Sequence, residues 1–295
     1  MKNVSAIALM ACGMLIGVNG AHAADIILEE PVVLAPAPLP VASGWYIRGD
    51  IGYNFKNKTD GDWAFWNQEN PPYRGIDDTL KYDEFNLKGG ASYGVGVGYR
   101  FNEMFRTDAT LDFFRAGING KTNCPSYIKS DPEHNLNLVQ DNCHYEDNST
   151  ANVWTAMANA YVDLPKIGNI LTPYIGAGLG AAYVKYDTWS TREVCTEYTP
   201  GGCNYQSEKG GLDSWRFAMA LMAGVSYDLT EQLKLDVGYR YLRINGGKAY
   251  GYDAADSSNT PYLGGEYGPG ATGTQAHDNG FNIHTVRAGL RYEFR

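Results

Sequence analysis

From Gly44 to the C-terminus the chain repeats one pattern. Segments of about ten residues alternate apolar and polar side chains, and turn residues separate them. Successive side chains of a strand point to opposite faces, so a period of two builds sheet rather than helix. Eight such segments are present, at 44–55, 91–101, 105–114, 153–163, 173–184, 215–228, 232–242 and 284–294. In the first, Trp45, Ile47, Ile51, Tyr53 and Phe55 share one face, and Tyr46, Arg48, Asp50 and Asn54 share the other. In the last, Val286, Leu290, Tyr292 and Phe294 oppose Arg287, Arg291 and Glu293.

Every segment therefore sets a continuous apolar face against a face that carries charge or glycine. A soluble sandwich would bury the apolar faces against a second sheet. Here the apolar faces end in Tyr, Trp or Phe, as expected of aromatic girdles at two membrane interfaces. A bilayer tolerates no open sheet edge, so the strands must close on themselves. The expected fold is all-β: an eight-stranded antiparallel transmembrane β-barrel over 44–295. The connections support this. Those at 102–104, 164–171 and 229–231 are short, whereas 56–90, 118–149, 187–214 and 245–280 are long. Short periplasmic turns and four long extracellular loops are the asymmetry of such barrels, and long loops on one side suggest where function lies.

The N-terminus is a separate matter. Lys2, an apolar run from Val4 to Val18 and the small residues of Ala21-His22-Ala23 predict a signal peptide over 1–23. A lipoprotein-type reading of Leu9-Met10-Ala11-Cys12 is weaker, because the apolar stretch before Cys12 is short. Residues 24–43 hold four prolines and read as an extended leader in the periplasm, or equally as a plain linker.

The formal net charge is −9, and removing Lys2 with the signal makes it −10. That argues against nucleic acid, which needs a basic stripe. Over the four long loops, 10 positive and 21 negative residues leave a net of −11. Of five cysteines, Cys124, Cys143, Cys195 and Cys203 follow the signal. An even number in an exported chain predicts disulfides. We expect Cys124–Cys143 and Cys195–Cys203, each within one loop. Zinc is disfavoured, because neither pair has the close spacing of a zinc site.

Three groups of residues are candidate sites. The first is a charge network in the lumen: Arg48, Asp50, Arg100, Arg106, Asp108, Asp112, Lys234, Asp236, Arg240, Arg287, Arg291 and Glu293. Eight strands leave room inside for side chains and little else. The network is either a packed salt-bridge core or the lining of a narrow pore. Glycines such as Gly94, Gly96, Gly98, Gly176, Gly178, Gly180, Gly224 and Gly238 either open space there or let long arginines lie across. The second group is Trp63, Phe65, Trp66 and Tyr73 in the first loop, aromatics among polar neighbours, as used in recognition. They serve either a partner or the packing of the loops. The third is the cysteines. Of His134, His144, His277 and His284, only His284 is expected near a strand, and a haem role is disfavoured. No metal and no cofactor are expected: no calcium loop, phosphate loop, dinucleotide fingerprint or HExxH is present. Ser226 and His284 do not argue for catalysis, since their strands are far apart.

Tyr227-Asp228-Leu229-Thr230 followed by 235–241 resembles the last hairpin of small OmpA-like barrels, and 286–294 resembles their terminal strand. The whole resembles the alphaproteobacterial "porin family / outer membrane protein β-barrel domain" surface proteins. The resemblance implies a non-enzymatic protein of the outer membrane that supports envelope integrity and makes contacts through its loops. A small diffusion channel is the alternative. The implied partners are outer-membrane lipid and lipopolysaccharide, the barrel-assembly machinery that reads the terminal strand, and a host or phage surface. Two departures stand out. The chain ends on Phe294-Arg295 rather than an aromatic, and no peptidoglycan-binding domain follows the barrel.

Overall fold

The computed structural model describes residues 43–68, 75–125, 143–168, 170–195, 205–253 and 272–294, with the backbone alone at 65–68 and 75–77. The expected signal peptide and nearly all of the leader lie outside these residues, as do Tyr73, His134 and Cys203.

Eight strands form a ring: β1 (Gly44–Asn54), β2 (Gly90–Arg100), β3 (Phe105–Asn123), β4 (His144–Asp163), β5 (Leu171–Tyr186), β6 (Asp213–Asp228), β7 (Leu233–Gly251) and β8 (Thr274–Glu293). Each pairs antiparallel with its neighbour in sequence. β8 then pairs with β1, with Ile47 opposite Tyr292 and Tyr53 opposite Val286. The sheet has no edge within this ring, which is what hydrocarbon demands of exposed backbone. The expected faces hold. Trp45, Ile51, Leu179, Trp215 and Leu221 are exposed, while Tyr46, Arg106, Asp112 and Arg291 are buried.

The strands run longer than the alternation suggested. β3, β4, β7 and β8 have 19 or 20 residues, about twice the span needed to cross a bilayer. Much of what the sequence reads as loop is thus strand, and the long connections 56–90, 118–149, 187–214 and 245–280 are corrected accordingly. The segment 57–59 pairs with 84–87, which pairs with β3. Segment 61–63 pairs with β8, and 61–68 with 75–81. Segment 189–194 pairs with β4 and 206–209 with 189–192. Leu212 donates to Ala249 O at 2.9 Å and Gly251 to Gly210 O at 3.1 Å, joining that hairpin to β7. The ladder therefore closes a second time, above the membrane.

The two storeys have opposite polarity. Along β3 the inward positions read Arg106, Asp108, Thr110, Asp112 and then Phe114, Ala116, Ile118. The outward positions read Phe105, Ala109, Leu111, Phe113 and then Arg115, Asn119, Lys121. Both faces switch at residues 113–114. β7 does the same, passing from inward Lys234, Asp236 and Arg240 to Leu242 and Ile244. Lipid surrounds the lower storey and water the upper, so the apolar face changes side while the ladder continues.

Candidate functional site

The lumen of the lower storey holds two chains of alternating charge. In the first, Arg240 meets Asp112 at 2.8 Å and Asp112 meets Arg287 at 3.1 Å. Arg287 meets Asp50 at 3.0 Å, Asp50 meets Arg48 at 2.7 Å, and Arg48 meets Asp108 at 3.1 Å. The second links Asp236 to Arg291 at 3.1 Å, Arg291 to Glu293 at 2.6 Å and Glu293 to Arg100 at 2.7 Å. It continues from Arg100 to Asp163 at 3.6 Å and from Asp163 to Arg106 at 3.0 Å. Each chain has three cations and three anions, so each is neutral by itself. Buried charges persist only when so paired. Lys234 departs from expectation. It is buried but bonds Asp228 at 2.7 Å, near the periplasmic turn, and joins neither chain.

The lumen glycines are filled by their neighbours. A methyl at Gly98 would strike the Tyr46 ring, at Gly176 the Tyr161 ring, and at Gly94 the Asp112 carboxylate. At Gly224 and Gly238 it would strike the Tyr174 hydroxyl. The Arg106 guanidinium lies 4.2 Å from the Tyr161 ring centre and 4.9 Å from that of Tyr174, a stacked cation. The space at these glycines is taken by the side chains of Tyr46, Tyr161, Tyr174 and Asp112.

The described interior of the upper storey is largely apolar. Trp189, Phe85, Tyr186, Tyr250, Phe281, Ile118 and Leu242 are each under 2% exposed. Trp189 sits among Tyr82, Phe85, Tyr186 and Tyr250, with ring centres 4.8–6.4 Å away. Trp63, which the sequence leaves open between recognition and loop packing, is buried here, edge-on to Tyr145 at 5.8 Å and bonded to Thr122 at 3.3 Å. The side chains of Phe65 and Trp66 lie outside the described residues.

Several polar groups in this core are paired, although Asp147 Oδ2, Asn86 Oδ1 and Gln275 Oε1 have no hydrogen-bond partner among the described residues. Arg216 bonds Asp278 at 2.7 Å, and Asp278 accepts from Tyr186 at 2.8 Å. Asp147 accepts from the Trp189 indole at 2.9 Å and from Thr191, and burial holds its carboxyl above the usual range. Burial likewise pushes the Tyr82, Tyr186 and Tyr250 hydroxyls well up. Inspection of the sequence misses this core, because its apolar residues fall on the face opposite to the one the lower strands establish. The signal is present as a phase shift in the alternation.

Cys124 and Cys143 are joined by a disulfide, with Cα atoms 5.4 Å apart, at the end of the described β3–β4 ladder. Glu193 lies against Cys143 Sγ at 3.4 Å. Both sulfurs are occupied in that bond, so this cluster is not a metal site in its oxidised form. Cys195 is also disulfide-bonded. His144 and His277 lie on β4 and β8 rather than in loops. Ser226 faces the lumen against Asp236 and Arg291, whereas His284 lies on the outer side against Tyr239. The structure does not bring Ser226 and His284 together.

Comparison with known proteins gives a consistent picture. The model of the "outer membrane protein beta-barrel domain" family matches residues 31–294. An uncharacterised protein of Brucella suis biovar 1 is 69% identical over 295 residues, covering 100% of both chains. The outer membrane protein PagN of Salmonella typhimurium is 27% identical, covering 90% of this chain and 96% of its own. The crystal structure of OprG from Pseudomonas aeruginosa aligns over 86% of this chain and 97% of its own, at 16% identity and a TM-score of 0.40. With a closed ring, a lipid-facing apolar band and a family match over most of its length, the chain belongs to the outer membrane protein beta-barrel domain family and resides in the outer membrane.

Proposed function

We propose that this protein is a non-enzymatic surface protein: a sealed anchor in the outer membrane that holds a closed, rigid storey of sheet outside the cell for contact with other surfaces. The observation that carries this reading is the double closure of the lumen. Two neutral ion-pair chains fill the membrane-spanning half, and an apolar core of rings stands above it. A conducting pore needs a continuous polar path, and an apolar plug on the axis opposes it. The described strands above the bilayer are cross-linked by hydrogen bonds and by Cys124–Cys143, so they offer a prearranged surface. The reading includes a contribution to envelope integrity, with lipopolysaccharide and a host or phage surface as partners.

The test is conductance of the refolded chain in a planar bilayer. A silent membrane, with folding shown by electrophoretic mobility, is the expected result. Steady, reproducible single-channel steps from the folded chain would establish the channel instead.

A further inference from the structure

The outward side of β4 and its neighbours carries three chemistries stacked in order above the bilayer. The lowest is a lateral row of rings. Phe113 is opposite Trp154, Trp154 opposite Tyr183, and Tyr183 opposite Trp215. Neighbouring ring centres are 4.6 Å apart for Phe113–Trp154 and 5.2 Å for Tyr183–Trp215. Trp215 is 71% exposed, and Trp154 45%. This row marks the outer membrane interface.

Two residues further along each strand is a polar ledge: Arg115 opposite Asn152, Asn152 opposite Lys185, and Lys185 opposite Asp213. The Arg115 side chain is 63% exposed and bonds Asp187 through a single nitrogen at 2.8 Å. A guanidinium has five N–H donors, so most remain available. Lys185 is exposed and makes no ion pair among the described residues. The Lys88 side chain lies across Gly117, just above Arg115. Arg115 and Lys185 thus share one register row, with Lys88 just beyond it, against the carboxylates of Asp187 and Asp213, in a chain whose net charge is −9.

Above the ledge is a groove of about 370 Å³, lined by Glu146, Asn148, Ser190, Arg192, Gln206 and Glu208 among others. Arg192 holds Glu146 through two nitrogens at 2.9 and 2.6 Å, which fixes the groove wall. Hydroxyls, amides and carboxylates in one groove offer both donors and acceptors, as a sugar requires. Asn148 lies six residues beyond Trp154, roughly 15 Å higher along the membrane normal for a strand tilted by ~40°.

Rings, then cations, then a polar groove is the order of acyl chain, phosphate and sugar in an outer-leaflet glycolipid. We infer that this face binds one phosphorylated glycolipid of the lipopolysaccharide class. Its acyl chains lie on the Phe113–Trp215 row. Its phosphates sit on Arg115, Lys185 and Lys88, and its core sugars lie in the Glu146–Gln206 groove. The inference deepens the surface reading, since it places the upper storey among lipid headgroups and sugars.

The experiment uses the full mature chain folded in detergent. Native mass spectrometry compares three probes: bisphosphorylated lipid A, the same lipid dephosphorylated, and lipopolysaccharide carrying only core sugars. The wild type is expected to favour the bisphosphorylated over the dephosphorylated lipid by about tenfold, as charge-assisted bonds would supply. Arg115→Glu with Lys185→Glu is expected to remove that preference, whereas Lys166→Glu, at the periplasmic end, leaves it intact. Asn148→Ala with Gln206→Ala is expected to remove only the further gain from core sugars. Equal binding of the two lipid A forms by the wild type would overturn the proposal, as would a preference that survives the double charge reversal. Absence of any gain from core sugars would overturn the sugar groove. None of these results alters the conductance test, so the two readings fail separately.

Discussion

Below the aromatic girdle this barrel is apolar outside and ionic inside; above it, the same strands are polar outside and apolar inside. The ladder does not change. β3 and β4 pair without a break from Phe105 opposite Val162 to Asn123 opposite His144. What changes is the solvent. Hydrocarbon leaves only the lumen for charge, whereas water outside returns the upper storey to the ordinary arrangement of a soluble core. A strand is thus neither a membrane element nor a soluble element in itself. Its side chains become one or the other according to the height at which they stand.

The sharpest way to test this contrast is to remove one keystone from each storey. Asp112→Ala leaves Arg240 and Arg287 without their shared carboxylate, and breaking a buried pair typically destabilises by about 3–5 kcal/mol. The whole barrel is expected to unfold at lower temperature or denaturant. Trp189→Ala removes a fully buried ring, at a comparable ~3–5 kcal/mol, and takes a donor from Asp147. Here the loss is expected to stay local. Hydrogen exchange should quicken at 144–150 and 189–194 while 153–163 keeps its protection. Global unfolding by Trp189→Ala would mean that the two storeys are one cooperative unit.

A smaller effect asks whether height alone decides. Val237 and Asn245 both face outward on β7, one in the membrane band and the other above it. Val237→Arg is expected to destabilise by about 2–4 kcal/mol, the penalty for a charge on the lipid face near mid-membrane. Asn245→Arg is expected to stay within about 0.5 kcal/mol, as surface changes do. Equal effects in a refolding titration from lipid vesicles would contradict the placement of the girdle.

The smallest effect is electrostatic and confined to the upper storey. Burial raises the folded pKa of Asp147 above its unfolded value, against the Thr191 and Trp189 hydrogen bonds and the charge of Lys209, which lower it. The folded state therefore holds the proton more tightly. Its contribution is fully present below the unfolded carboxylate pKa and is lost as pH rises through the folded one. Glu146 runs the other way. Arg192 holds it below the usual range, so its contribution is lost as pH falls. The difference between wild type and Asp147→Asn in upper-storey exchange, followed against pH, isolates the first. A difference that does not vary with pH would show that Asp147 is not strained by its burial.

Much of the lower storey is legible in the sequence. Trp45, Ile47 and Ile51 against Arg48 and Asp50 declare two faces, because adjacent Cβ atoms point opposite ways whatever the rest of the chain does. Strand number and the inward set of charges follow by counting. Asp163 and Arg106 both sit inward by that rule, yet nothing local reveals that they meet, or that Lys234 turns aside to Asp228. The first contact joins residues 57 positions apart and the second residues six apart across a turn, and both depend on register, which only the assembled ring specifies. The candidate site was harder to read. Trp63 among polar neighbours reads as either a contact or a packing residue until the strands around it close overhead and bury it. Local alternation determines which side chains share a face. Tertiary closure decides what lies beyond that face, because hydrocarbon, water or protein on the other side is a property of the whole ring and its height in the membrane.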